Sequence, residues 1–178
     1  PKQPEYNKYY PYTDLASYAS SRVVQIGYIL HKVTGDKHEF IKEAEYIIIP
    51  RGFKIDNERF HGINHAHAFA NGIEFKDVIA LMNEDLAKTE LIVARKAGFE
   101  INVLLSEMWR CGLKAEAQEF SAMPYFCTSI QLKDIMKLPM RYKSKKKRKI
   151  NYKQPNLGEL YKWLFNKTIP DENGKRHT

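Results

Sequence analysis

Cysteine is scarce in this 178-residue chain, and long hydrophobic runs are missing altogether. The two cysteines, Cys111 and Cys127, stand without a CxxC or other metal-ligand spacing, which predicts reduced, intracellular thiols rather than a disulfide or zinc framework. No apolar stretch approaches the ~20 residues that cross a bilayer, so no membrane partner is expected. The first residues, PKQPEYNKYY, carry no secretory leader, and the missing initiator Met predicts a processed chain or a fragment. Internal repeats are lacking too. What remains is ordinary for a globular protein, with 43% hydrophobic and 28% charged residues. At this length one domain is expected, large enough to bury a sizeable core.

Acid is missing from one place in particular. Residues 141–149, RYKSKKKRK, hold seven basic residues and no acid, so the formal charge of +8 falls to +1 without them. Three readings of such a run stay open: a phosphate-binding loop, a localisation signal, or a solvated loop.

Hydrophobic periodicity supplies the elements. Residues 1–8 form a polar arm. Lys8 to Leu15 is aromatic-rich and reads as a strand distorted by Pro11. Arg22 to His31 and Glu39 to Ile49 have the β-branched content of strands, joined by a turn centred on Gly35-Asp36. Phe75, Val78, Ile79, Met82 and Leu86 recur at helical spacing. Leu91 to Ala94 is a short buried strand, and after the polar break at Arg95-Lys96-Ala97-Gly98 comes a helix through Ile101, Leu104, Leu105 and Met108. Pro124 to Ile130 reads as a fifth strand, and Leu132, Ile135 and Met136 as a short helix. Leu157, Leu160, Tyr161, Leu164 and Phe165 make an amphipathic helix opened by Pro155-Asn156. The order βββ-α-β-α-β-α predicts one mixed sheet with helices packed on it. Strand 91–94 and its helix are where an open α/β sheet puts a ligand, at the carboxyl end of the strand.

In that order the residues resemble the DEDDh-type 3′–5′ exonucleases. Asp14-Leu15 followed by Arg22-Val23-Val24-Gln25-Ile26-Gly27 is similar to that family's opening strands. His61-Gly62-Ile63, with Gly72-Ile73 and Phe75, resembles its "HGI…G…F" segment. Residues 92–107, IVARKAGFEINVLLSE, are similar to its second motif, "hvaHNxxFDxxfLxxE". Asp134 and the stretch from Pro155 to Tyr161 resemble the "PkLxeLy" helix, and His177 stands where the third motif begins. The resemblance spans residues 9–178 and implies a ribonuclease-H-like fold. Its mixed five-stranded sheet has three antiparallel strands, then parallel ones, flanked by helices. The single domain over 9–178 would end within the third motif.

The same resemblance implies a site of four carboxylates holding two Mg²⁺ or Mn²⁺ ions about 4 Å apart, with a histidine as general base. Carried over residue by residue, Asp14 matches the first carboxylate and Ala16 stands in place of the second. Glu100 replaces the usual Asp, moving the carboxylate by about 1.5 Å where about 0.5 Å matters. Arg95-Lys96 replaces His-Asn. Asp14, Glu100 and His177 are thus the catalytic remnants, and Asp14 and Glu100 the candidate metal ligands. Arg95, Lys96, Tyr18 and the basic run (Lys143, Lys145, Lys146, Lys147, Arg148 and Lys149) are the candidate nucleic-acid contacts. His61, His65 and His67 lie in an H-x3-H-x-H arrangement that matches no recognised zinc pattern.

The expected function is a nucleic-acid-binding or assembly subunit built on an exonuclease fold, with a degenerate, inactive site. RNA or single-stranded DNA would be its partner, with further protein partners in a larger complex. One alternative is an active metal-dependent exonuclease, seen as a knockout or a truncated chain. A second is a protein-interaction scaffold without a nucleic-acid role.

Overall fold

The computed structural model describes residues 3–5, 8–140 and 152–169. It is a mixed α/β protein whose chain divides into two compact units. The first comprises residues 1–90 and 101–123, the second residues 91–100 and 124–178.

In the first unit, β1 (Gln25–Thr34) and β2 (Lys37–Ile47) form an antiparallel hairpin. Gly35, at φ 59°, supplies the left-handed residue of the two-residue turn between Thr34 and Lys37. Leu30 pairs with Lys42 and His31 with Phe40, which leaves Ile41 as the extra residue of a bulge. Three helices follow: α1 (Glu58–His61), α2 (His65–Asn71) and α3 (Phe75–Leu86). α3 has the expected periodicity, burying Phe75, Val78, Ile79 and Met82. Ile73 exchanges main-chain bonds with Ile47 and Ile49, extending the end of β2. That approach needs Gly72, because a Cβ there would come within 2.3 Å of the Ala68 carbonyl oxygen. Ile55, Ile63 and Ala68 form a core cluster with Val24, Ile47 and Phe53 packed on it.

The strand expected over residues 8–15 is not formed. Main-chain bonds from Asp14 to Pro11, Ser17 to Asp14, Tyr18 to Leu15 and Ala19 to Ala16 wind the segment into successive turns. Asp14 fixes them by accepting from the Ser17 N–H at 3.3 Å and the Ser17 hydroxyl at 2.8 Å. A short side chain bonding its own backbone competes directly with a strand ladder.

In the second unit, β3 (Ile92–Ala94) pairs in parallel with β4 (Tyr125–Cys127), Val93 lying opposite Phe126. The described strands therefore make two two-stranded sheets, one in each unit. α4 (Ala97–Arg110) gives its first turn to this unit and the rest to the first, where α5 (Lys114–Ser121) follows. It starts earlier than the spacing of its leucines predicts, because Ala97 and Gly98 are helical rather than part of the break. β4 ends earlier than expected, since Thr128 opens α6 (Thr128–Gln131), followed by α7 (Lys133–Met136). α8 (Leu157–Phe165) begins with a reciprocal capping box, in which Asn156 Oδ1 accepts from Glu159 N–H at 2.8 Å and Glu159 Oε2 accepts from Asn156 N–H at 2.9 Å. Among the described residues no helix is long and apolar enough to cross a membrane.

Candidate functional site

The carboxyl ends of β3 and β4 carry the residues with most chemical potential in the second unit. β3 runs into the turn Arg95–Lys96, and Lys96 takes a left-handed conformation at φ 53° before α4 begins. A lysine pays steric strain there, and such strain gathers where backbone geometry serves a function. The Lys96 N–H donates to Ser129 Oγ at 3.3 Å, and Ser129 Oγ lies 3.2 Å from Cys127 Sγ. Both Cys127 and Ser129 are buried. Burial pushes the Cys127 thiol up, but hydrogen bonds from the Ser129 hydroxyl and the N–H groups of Ile130, Ala97 and Ser129 outweigh it, so the pKa lies below the usual thiol value. The two strand ends are thereby stitched together by polar bonds. Sequence pattern alone places Cys127 as plain core and passes over Ser129; a Thr-Ser pair at a strand end opening a helix is the available signal.

Arg95 donates from Nε to the Pro155 carbonyl at 3.3 Å, which sets its guanidinium against the start of α8. It also helps lower the pKa of Glu159, where burial acts upward but the Lys153 ammonium, the Asn156 N–H and Arg95 prevail. Lys153 pairs with Glu159. The main chain closes nearby through the Lys153 N–H bond to the Leu138 carbonyl at 2.9 Å and an antiparallel bridge of Pro139 with Tyr152. The basic residues Lys143, Lys145, Lys146, Lys147, Arg148 and Lys149, and likewise His177, lie outside the described residues.

Glu100 sits in the first turn of α4. Crowding around its carboxyl raises its pKa above the usual range, while Arg95 and Lys96 act in the opposite direction. The residue as a whole is exposed, so water tempers the rise. Asp14, in the first unit, is exposed and already occupied by Ser17. Ala16 offers no oxygen. These donors fit a pair of divalent cations poorly. One carboxylate serves as a turn lock, one is flanked by two cations, and hard cations need several anionic oxygens.

Tyr18 is fully buried, and its hydroxyl donates to the Tyr10 carbonyl at 2.7 Å. In this conformation its ring presents no face to a base and acts as core. His61 lies in α1, His65 and His67 in α2, with the His65 ring 4.9 Å from Phe69. Among the described residues no three of His, Cys, Asp and Glu converge on a metal-sized site.

The two units divide the charge unequally. The second carries 16 Lys and Arg against 5 Asp and Glu, the first 13 against 16, so the net +8 separates into +11 and −3. In the second unit the described residues alone hold seven cations against three acids.

No family model matches this chain, and no curated protein and no solved structure is significantly similar to it.

Proposed function

We propose that the chain is a ribonuclease-H-like domain related to the DEDDh-type exonucleases whose catalytic site has degenerated, and that it binds RNA or single-stranded DNA without cutting it. The observation that carries this reading is the turn Arg95–Lys96. It stands at the carboxyl end of a parallel strand, where α/β folds take their ligands, and presents two cations beside a carboxylate. Cations at that place attract a phosphate and repel a divalent metal. Lys96, exposed and held in a strained backbone, offers an ammonium to a phosphate oxygen, while Arg95 is steadied by Pro155. The basic run over 141–149 would add sequence-independent, salt-dependent contacts to the phosphate backbone. In the related enzymes Mg²⁺ or Mn²⁺ would activate water; here no step is assigned to a metal, since Ala16, Asp14 and Glu100 make a poor ligand set. On this reading the domain serves in a larger nucleic-acid complex.

The test is a gel assay of the pure chain with labelled single-stranded RNA and DNA, with and without Mn²⁺. Retention without shortening is expected, weakened by Arg95→Gln and Lys96→Gln. Metal-dependent release of 3′-terminal nucleotides, abolished by Asp14→Asn, would overturn it, and so would a failure to retain either strand.

A further inference from the structure

We infer that the aromatic face of α8, formed by the half-buried Tyr161 and the exposed Phe165, is a stacking platform for the unpaired bases of a single-stranded nucleic acid. The inference rests on the binding function proposed above and names the surface that the bases occupy.

The stripe Leu157, Leu160, Tyr161, Leu164 and Phe165 is the kind that usually faces a core. Only part of it does. Leu160 is 4% exposed, whereas Leu164 and Phe165 are 56% and 58% exposed. The Tyr161 and Phe165 ring centroids lie 4.8 Å apart at an interplanar angle of 52°. Their tilt rules out a closed stack between them and leaves Phe165 largely open to water. The capping box at Asn156 and Glu159 fixes the start of the helix, so the rings project from a defined backbone.

Charge decides what such a surface fits. Lys162 follows Tyr161 directly and lies three residues before Phe165, so it flanks the ring pair on the helix. The acid of α8, Glu159, is occupied by Lys153 and by the cap. The unit as a whole carries +11. An apolar ring pair on a unit whose cations far outnumber its acids matches a chain of phosphates bearing flat apolar bases. An acidic protein surface could satisfy the cations, but it would not alternate flat rings with charges along its length as a single strand does. A pair of such units would repel.

The test uses fluorescence anisotropy of the whole chain with a labelled single-stranded RNA, its DNA counterpart and an abasic strand of equal charge. Phe165→Ala and Tyr161→Ala should each weaken binding to the base-bearing strands about tenfold. Binding to the abasic strand should be unchanged. The salt dependence should also be unchanged, because a ring releases no counterion. Phe165→Trp should restore affinity, and its melting temperature should match that of the parent. Lys162→Gln should instead lower the salt slope by about one. If the parent chain binds the strands and the ring variants bind equally well, the platform is overturned while the proposed function stands. Altered self-association of the ring variants with unchanged nucleic-acid binding overturns it equally and marks a protein-facing surface. If the parent chain binds neither RNA nor DNA, the proposed function fails and this inference with it.

Discussion

Arg22 grips Glu107 by both carboxylate oxygens, with Nε 2.8 Å from Oε2 and Nη2 2.7 Å from Oε1, across 85 residues of sequence. Phe53 covers the guanidinium at 4.2 Å, and Arg110 adds a second cation to Oε2 at 2.7 Å. The side chains of Arg22 and Glu107 are 12% and 6% exposed. A fork of this kind ties the chain just before β1 to α4 within the first unit.

Removing one partner of a buried pair is far worse than never having made it, because the charge left behind stays desolvated. Glu107→Ala strands Arg22 and should lower stability by about 3–5 kcal/mol. The double variant Arg22→Met with Glu107→Leu should recover much of that loss. Urea unfolding midpoints decide it. A loss below about 1 kcal/mol for Glu107→Ala would mean that the pair is solvated in solution.

A second polar knot should show itself through pH. Asp85 Oδ2 accepts from Lys42 Nζ at 2.7 Å and from the Tyr28 hydroxyl at 2.6 Å, pinning the hairpin to α3. The Lys42 ammonium, then the Tyr28 hydroxyl, hold the Asp85 carboxyl below its usual range. A depressed carboxylate stabilises the fold fully above the unfolded-state value near 3.9, and the contribution is lost as pH falls from there through the folded value. Melting temperature measured from pH 6 down to pH 2.5 should fall less steeply in Asp85→Asn than in the parent chain. Parallel acid limbs in the two proteins would refute the assignment.

Sequence pattern carried the elements that local rules govern. α3 announced itself because Phe75, Val78, Ile79 and Met82 repeat at the helical period that buries them. Pro155-Asn156 marked the start of α8, where Asn156 does cap the helix. Gly35-Asp36 marked the hairpin turn. Failure came where a short-range bond opposes composition: residues 8–15 have the aromatic content of a strand, yet Asp14 and Ser17 hold the neighbouring chain in turns. The candidate site falls at the β3–α4 turn because strand and helix periods meet there. The bond from Lys96 to Ser129, 33 residues away, was not legible, and neither was the pairing of Arg22 with Glu107, 85 residues away in the first unit. Contacts at such separations leave no periodic trace. The burial of Tyr18 was hidden as well, because a tyrosine beside a candidate site looks the same in sequence whether its ring faces solvent or core.

Ser129 should control the reactivity of Cys127. Its hydroxyl is among the donors that hold the thiol pKa below the usual value against the opposing effect of burial. Ser129→Ala removes that donor, so the pKa should rise and the thiolate fraction at neutral pH should fall. In a Cys111→Ser background, the pH midpoint of alkylation by iodoacetamide should move upward in Ser129→Ala. An unchanged midpoint would show that the backbone N–H groups suffice alone.

Lys96→Gly separates strain from function, because the two should move in opposite directions. The left-handed backbone at φ 53° costs a lysine about 1–2 kcal/mol. Glycine relieves that cost but loses about 0.5–1 kcal/mol through the greater freedom of its unfolded chain. The variant should therefore be as stable as the parent or up to about 1.5 kcal/mol more stable. If the turn holds a phosphate, the same substitution removes a cation and should weaken single-strand binding while lowering the salt slope by about one. Lys96→Arg, which keeps both charge and strain, should leave stability and slope near the parent values. A glycine variant that is clearly less stable would mean that the side chain, not the backbone, holds the turn. A stabilised variant with undiminished affinity would place the phosphate contact elsewhere. A gain in stability coupled to a loss in binding is the outcome expected of a strained residue kept for its ligand.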